Sequence, residues 1–439
     1  MTLVLKNLLI RCMFFILLVI ITEGLAYAAL WLWGPLIGEV RRTSVIYTEQ
    51  TVRIRALLDV EHPLREVLDQ VLGWRYRPGY RKGNDIVSLQ GLRSERVYAQ
   101  TPPDGTLRIA AFGDSFVYGN EVGTTDVWTS QMEHACRQIE VLNFGVGGYG
   151  VDQAYLRYLS EGSLYAPHVV LIGFVPDDLR RLVNVYRRFI DDREFPGFKP
   201  RFMLEGNTLK LLPNPFPLLR DYDRLLMEPE TVTRLGQHDH WYKPAIYENP
   251  LYDLSATVRL TVTLWLRVYD RYLDPNRLWM GDQLNPSSEA FRLQLAIFHK
   301  FSEDVRRDGA MPWTVLFPDR DSILRVRAGS STSYAPLAAK LPETGIPYLD
   351  LINAFRSDTT GPVDSFFMPG GHYSRRGNEI VAKWLLQQLD YVWQDQQVPK
   401  RSGQQGANLQ TKESVFSSVP CAPATELSSR PLEKRGAVQ

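Results

Sequence analysis

The apolar pattern opens with an unbroken run over residues 13–21 and a second over residues 25–33, with Thr22, Glu23 and Gly24 between them. Together they exceed the about 20 residues that a bilayer-crossing helix needs. Trp31 and Trp33 suit an interfacial belt at the far end. Ala26-Tyr27-Ala28 also fits the small-x-small site of a cleaved secretory leader. The apolar character continues past that site, which favours an uncleaved single-pass anchor over residues 1–36. Lys6 and Arg11 precede the segment while Arg41 and Arg42 follow it, so charge sets no orientation.

A polar juxtamembrane stretch covers residues 37–104. Its centre, residues 54–72, has the pattern of an amphipathic helix, broken or restarted at Pro63. Short apolar runs then alternate with helical patterns. Strands are expected over residues 107–112, 140–144 and 169–174, with helices over 126–136 and 151–159. This rhythm implies βαβ units and a mostly parallel sheet. From about 186 to 286 the rhythm stops and the chain is rich in Pro, Tyr, Trp and charge, as in Phe195-Pro196-Gly197-Phe198-Lys199-Pro200. This segment reads as a cap inserted into the α/β core, its aromatics more often core than a sugar platform. The core resumes with a helix over 288–307, strands over 313–317 and 348–351, and a last helix over 375–393. Ile380, Val381, Trp384, Leu385 and Leu389 follow helical spacing there. The α/β domain thus spans residues 105–395, and residues 396–439 are too polar to fold.

Composition narrows the function. Fifty basic residues against 49 acidic ones give a formal net charge of +1, without the basic excess of a nucleic-acid binder. Three cysteines show no zinc spacing and support no disulfide framework, so no bridge is expected.

The candidate chemistry lies at strand ends. Residues 107–112 run into Gly113-Asp114-Ser115. In a parallel sheet this is where ligands bind, although Gly-Asp-Ser alone also suits a polar turn. After the second strand comes Asn143-Phe144-Gly145-Val146-Gly147-Gly148-Tyr149-Gly150. Its glycines let a backbone N–H approach a substrate oxygen, as a tetrahedral intermediate requires. Pro176-Asp177-Asp178 follows the third strand, and Gly370-Gly371-His372-Tyr373-Ser374 precedes the last helix. His372 serves as a general base only if it reaches Ser115.

The order Gly-Asp-Ser, Asn-x-Gly-x-x-Gly, an acidic pair after strand three and a late His resembles the GDSL/SGNH hydrolases over about residues 107–395. The resemblance implies a three-layer, flavodoxin-like α/β fold and a serine esterase. By it, Ser115 is the nucleophile, Gly148 and Asp177 take the oxyanion positions, and His372 is the base. No cofactor or metal is implied. An acylated small molecule or glycan is the implied substrate, the domain lying outside the cytoplasm. A polysaccharide O-acetyltransferase using the same Ser and His, or a degenerate glycan-binding domain, are the alternatives. Two departures stand out. Asp177 occupies the place of an oxyanion Asn, and a carboxylate donates only when protonated. The acid expected two or three residues before the His is missing, since Pro369 and Gly370 stand there. Asp364 or a backbone carbonyl is left to orient the ring. His238-Asp239-His240 lacks a third ligand motif, and His134 and His299 fall in expected helices as structural residues.

Overall fold

The structure is a computed structural model. It describes residues 2–37, 43–58, 64–190, 197–218, 220–222, 227, 236–358 and 361–396. The expected polar tail therefore lies, but for its first residue, outside the described residues.

In chain order the main elements begin with α1 (Thr2–Ile37) and α2 (Thr43–Leu58). Then come β1 (Leu107–Phe112), α3 (Ser115–Tyr118), α4 (Trp128–Ala135), β2 (Ile139–Asn143), α5 (Val151–Glu161), β3 (Val169–Phe174) and α6 (Asp178–Leu182). Helix α7 (Ala256–Val268) lies in the inserted segment. The core resumes with α8 (Glu289–Arg307), β4 (Met311–Leu316), β5 (Tyr348–Asp350) and α9 (Arg375–Gln396). The helix expected over residues 54–72 differs: α2 ends at Leu58, and Glu66–Asp69 is a strand. Pro63 stands between them, lacking the N–H that a continuing helix needs.

The five strands form one parallel sheet in the order β5-β4-β3-β1-β2. This is the doubly wound 2-1-3-4-5 order of flavodoxin-like folds. Every residue of β1, β2 and β3 is buried, as a sheet covered on both faces demands. Alternate residues serve opposite faces. Ile109, Ala111, Val141 and Leu171 pack against Trp128 and Met132 of α4 and Val381 and Leu385 of α9. On the other side Phe112 meets Tyr158 of α5, whose ring lies against Phe301 of α8, and Phe174 meets Phe298. The fold is thus three-layered.

The chain divides into two compact units. One holds residues 1–74, 183–203 and 210–292; the other holds 75–182, 204–209 and 293 onward, with the whole sheet. In the first, Tyr186, Phe198, Phe216 and Tyr222 form a core with Ile54, so these inserted aromatics are packing residues. Within α1, residues 5–37 form one helix long and apolar enough to cross a membrane. Against expectation, Cys136 is disulfide-bonded; Cys12 is free, and the partner of Cys136 lies outside the described residues. Three cysteines far apart in the sequence leave no local spacing pattern from which a bridge could be read.

Candidate active site

Ser115 lies just past the carboxyl end of β1, the strand beside which the sheet order reverses. Crevices at such switch points are the usual ligand sites of open α/β sheets. Asp114 caps the short helix α3, its carboxylate accepting from the Phe116 N–H at 2.8 Å. The Ser115 hydroxyl donates weakly to the same carboxylate at 3.4 Å. Asn143 ties the glycine loop to this turn. Its Nδ2 donates to the Val117 carbonyl at 2.7 Å, and its Oδ1 accepts from the Gly145 N–H at 2.9 Å. Any side chain at Gly145 would meet the Tyr118 backbone nitrogen at 2.3 Å, which explains the glycine. Further along, the Gly147 N–H donates to the Tyr76 hydroxyl at 2.8 Å. The Gly148 N–H has no hydrogen-bond partner among the described residues.

His372 sits in a tight loop. Its carbonyl accepts from the Met368 N–H at 2.7 Å, and Gly371, at φ 95°, turns the chain. Asn378 fixes the loop to α4, accepting from the Trp128 N–H at 3.0 Å and donating to the Tyr373 carbonyl at 3.1 Å. The imidazole lies 5.4 Å, centroid to centroid, from the ring of Phe116, the residue after Ser115. His372 is therefore brought beside the Ser115 turn. No direct hydrogen bond joins the two side chains among the described residues.

The residue that sequence reasoning missed is Glu121. Its Oε2 lies 2.7 Å from His372 Nδ1 and accepts from the His372 N–H at 3.1 Å; its Oε1 accepts from the Gly370 N–H at 2.8 Å. Burial alone would raise this carboxyl, but the hydrogen bonds from His372 and Gly370 outweigh it and hold the group below its ordinary range. Glu121 adopts φ 70°, a left-handed conformation that side chains seldom take, and such strain clusters at functional sites. Gly370 completes the fit, because a Cβ there would meet Glu121 Oε1 at 2.5 Å. The position where an acid was expected is thus empty of side chain so that an acid from another loop can enter. Asp364 has a different partner, Arg320, at 2.6 Å.

Beside Ser115 stands a second missed residue, Arg181. Its Nη1 donates to Asp114 at 3.0 Å, to Asp178 at 2.8 Å and to the Tyr149 carbonyl at 2.9 Å. Its Nη2 donates to Asp177 at 2.8 Å, and Asp177 also pairs with Arg180 at 3.1 Å. Burial, then the nearby Asp114, raises the Asp178 carboxyl well above its usual value. One buried guanidinium thus serves three carboxylates around the Gly-Asp-Ser turn. The two arginines follow the acidic pair at helical spacing, the one sequence signal that pointed to them.

Elsewhere, Asp239 is committed to holding backbone, accepting from the N–H groups of Val185, Tyr186 and Trp241, and burial pushes its carboxyl up to about 6. No cluster of metal-ligating side chains occurs among the described residues. His134 is exposed, and His299 faces Glu303 at 3.6 Å on the same helix.

No family profile matches the chain, and none of the curated proteins matches it. Solved structures do. A member of the lipolytic G-D-S-L family from Veillonella parvula is 13% identical, covers 64% of this chain and 97% of its own, with a TM-score of 0.30. A GDSL-like lipase from Bacteroides thetaiotaomicron is 9% identical over 67% of this chain and 92% of its own, with a TM-score of 0.31. The lipase/acylhydrolase from Enterococcus faecalis is 14% identical over 65% and 95%, with a TM-score of 0.29. At these identities and scores the likenesses fix neither the chemistry nor the substrate of this chain. Many of the solved structures that the chain resembles are GDSL-family lipases and acylhydrolases.

Proposed function

We propose that the chain is a membrane-anchored serine esterase that removes acyl groups, acetyl above all, from an extracytoplasmic glycan or other acylated substrate. The observation that carries this reading is the hydrogen-bonded pair of Glu121 and His372 beside Ser115 at the switch point of the sheet. Glu121 holds Nδ1 and leaves Nε2 for the serine proton. On substrate binding, Nε2 takes the Ser115 proton as Oγ attacks the ester carbon. The Gly148 N–H steadies the oxyanion. Collapse of the intermediate expels the alcohol, which takes the proton from His372 and leaves an acyl-Ser115. Water, deprotonated by the same imidazole, then releases the acid. Asp177 stands where an oxyanion donor belongs; paired to Arg180 and Arg181, its charge is offset, and Gly148 remains the donor in this scheme.

Anchoring is read from α1. Its second half is not a passive leader: Ala26 and Leu30 are buried against Ala256 of α7, which favours retention over cleavage after Ala28. The disulfide at Cys136 favours an oxidising, extracytoplasmic compartment. The test is acyl trapping. Full-length protein in detergent is mixed with an isotopically labelled activated acetyl ester and quenched in acid. Label on the peptide carrying Ser115 is expected, and its absence overturns the serine mechanism. Chasing the acyl-enzyme with water or with a saccharide then separates hydrolysis from transfer to a sugar hydroxyl.

A further inference from the structure

We infer that helix α7 of the inserted segment is a second membrane element, lying in the same leaflet as the C-terminal half of α1 with one face against lipid acyl chains. The inference rests on the reading of α1 as a membrane span. In that reading Arg11 marks one interface and Trp31 with Trp33 the other. Glu23 then lies about 15 Å from Trp33 at 1.5 Å per residue, near the middle of a hydrocarbon layer about 30 Å thick. An ionisable side chain at that depth requires a polar partner. The structure supplies one. The Glu23 carboxylate accepts from the Ser255 hydroxyl, from the Ala256 N–H at 2.7 Å and from the Thr257 N–H at 3.4 Å. The Ala256 and Thr257 N–H groups are among the backbone donors that the start of a helix leaves without an intrahelical partner. The start of α7 is thereby fixed at the depth of Glu23. From there the two helices run side by side. Ala256 packs on Ala26 and Leu30, Leu260 packs against the same cluster, and Arg267 near the far end donates to the Leu36 carbonyl at 2.9 Å. A helix bonded to Glu23 at one end and to Leu36 at the other shares the depth of that half of α1.

The outward face of α7 agrees independently. Leu264, Trp265 and Val268 are 46%, 56% and 47% exposed. With Thr261 they recur at three and four residue steps, the spacing of one helix face. No charge falls on this stripe. Arg259 is turned inward and buried, while Arg267 and Arg271 gather at the end of α7 that lies level with Leu36, where headgroups belong. An uncharged apolar stripe of this kind, continuous with a membrane helix, matches acyl chains rather than water.

The test places an environment-sensitive fluorophore on single cysteines of the full chain in a Cys12→Ser background, reconstituted in phosphatidylcholine–phosphatidylglycerol vesicles. The sites are L264C on α7, F15C on α1 and the water-exposed S330C. Lipids carrying a nitroxide on the acyl chain and aqueous iodide are the two quenchers. The expected result is blue-shifted emission at position 264 and lipid quenching at least half of that at position 15, with iodide quenching several-fold below that at position 330. Glu23→Ala should move position 264 toward water-like emission, and Glu23→Gln, which still accepts hydrogen bonds, should restore it. Lipid quenching at 15 with iodide access at 264 overturns the inference and leaves the anchor standing. Blue-shifted emission at 264 without lipid quenching also overturns it, since a second copy or another protein then covers the stripe. Iodide access at position 15 removes the anchor reading and the inference with it.

Discussion

Glu121 Oε2 lies 2.7 Å from His372 Nδ1, although 251 residues separate the two in the chain. The acid beside the candidate base comes from the loop after α3, and Gly370 leaves the space it occupies. Glu121→Gln keeps the shape but removes the charge that favours the imidazolium and the correct tautomer. Loss of such an acid in a serine triad costs on the order of 10²–10⁴-fold in rate. Aryl acetate hydrolysis by the full-length protein should fall within that range, and an unchanged rate removes Glu121 from the mechanism.

The same pair predicts a coupled effect. In the parent, Gly370→Ala forces a methyl group against the Glu121 carboxylate and should cost most of the activity. In a Glu121→Ala background the methyl meets less, and the added cost should shrink. Directly contacting residues show coupling of roughly 0.5–3 kcal/mol in double-mutant cycles. Additive losses across this cycle would mean that Gly370 serves the loop for another reason.

The pH dependence of the pair has a definite sign. The folded-state value of Glu121 is depressed, so its contribution to stability is present above the unfolded value of a glutamate and is lost as pH falls through the folded one. The melting-temperature difference between parent and Glu121→Gln should therefore be present at neutral pH and vanish below the ordinary glutamate range. A difference that persists unchanged into strong acid would assign the effect to packing.

Much of this molecule was legible in the sequence because its sheet is buried on both faces. Residues 107–112 and 169–174 are apolar runs of strand length between turn signals, and both are strands over those residues. Residues 54–72 misled because the helical pattern continued past Pro63, whereas Glu66–Asp69 is a strand. Ser115 and His372 were readable because each sits in a local motif at an element boundary. Glu121 was not. Its role depends on a backbone turn with positive φ and on a contact across 251 residues, neither of which leaves a periodic trace. The missing acid before His372 left Asp364 or a backbone carbonyl as its stand-in, and Asp364 is paired with Arg320 instead. Similarly, Glu23 reads alone as a flaw in an apolar run, and only its bonds to the start of α7 give it a partner.

Arg181 should prove structurally indispensable. Its side chain is 10% exposed, and it pairs with Asp114 and Asp178, which are 4% and 1% exposed. Removing one partner of a buried ion pair costs about 3–5 kcal/mol, because the charges left behind are uncompensated. Arg181→Met should therefore lower the melting temperature strongly. The sign of the pH effect follows from Asp178, whose folded-state value is raised by burial and by Asp114. A raised acid costs nothing below its unfolded value, and its cost grows as pH rises through the folded one. Without the guanidinium that cost grows further, so the deficit of Arg181→Met should be larger at pH 8 than at pH 5. An equal deficit at both pH values would mean that the carboxylates are not what Arg181 compensates.

Asp177 tests the oxyanion assignment. Its carboxylate is 41% exposed and bonded to both Arg180 and Arg181, so its charge is largely offset before any substrate arrives. Asp177→Asn would exchange those ion pairs for an amide with two N–H donors. A well-placed oxyanion donor is worth roughly 2.7–4 kcal/mol. If the amide reaches the oxyanion, the rate at pH 7 should rise, by less than that full amount because the new donor is not preorganised. The loss of two partly exposed ion pairs should cost the fold about 2 kcal/mol or less, and Arg181 keeps Asp114 and Asp178. Steady-state rates and melting curves of the same preparations separate the two effects. A lower rate at every pH with an unchanged melting temperature would show that the carboxylate itself is needed, by holding Arg181 beside Asp114 and the Ser115 turn, and would take Asp177 out of the oxyanion site.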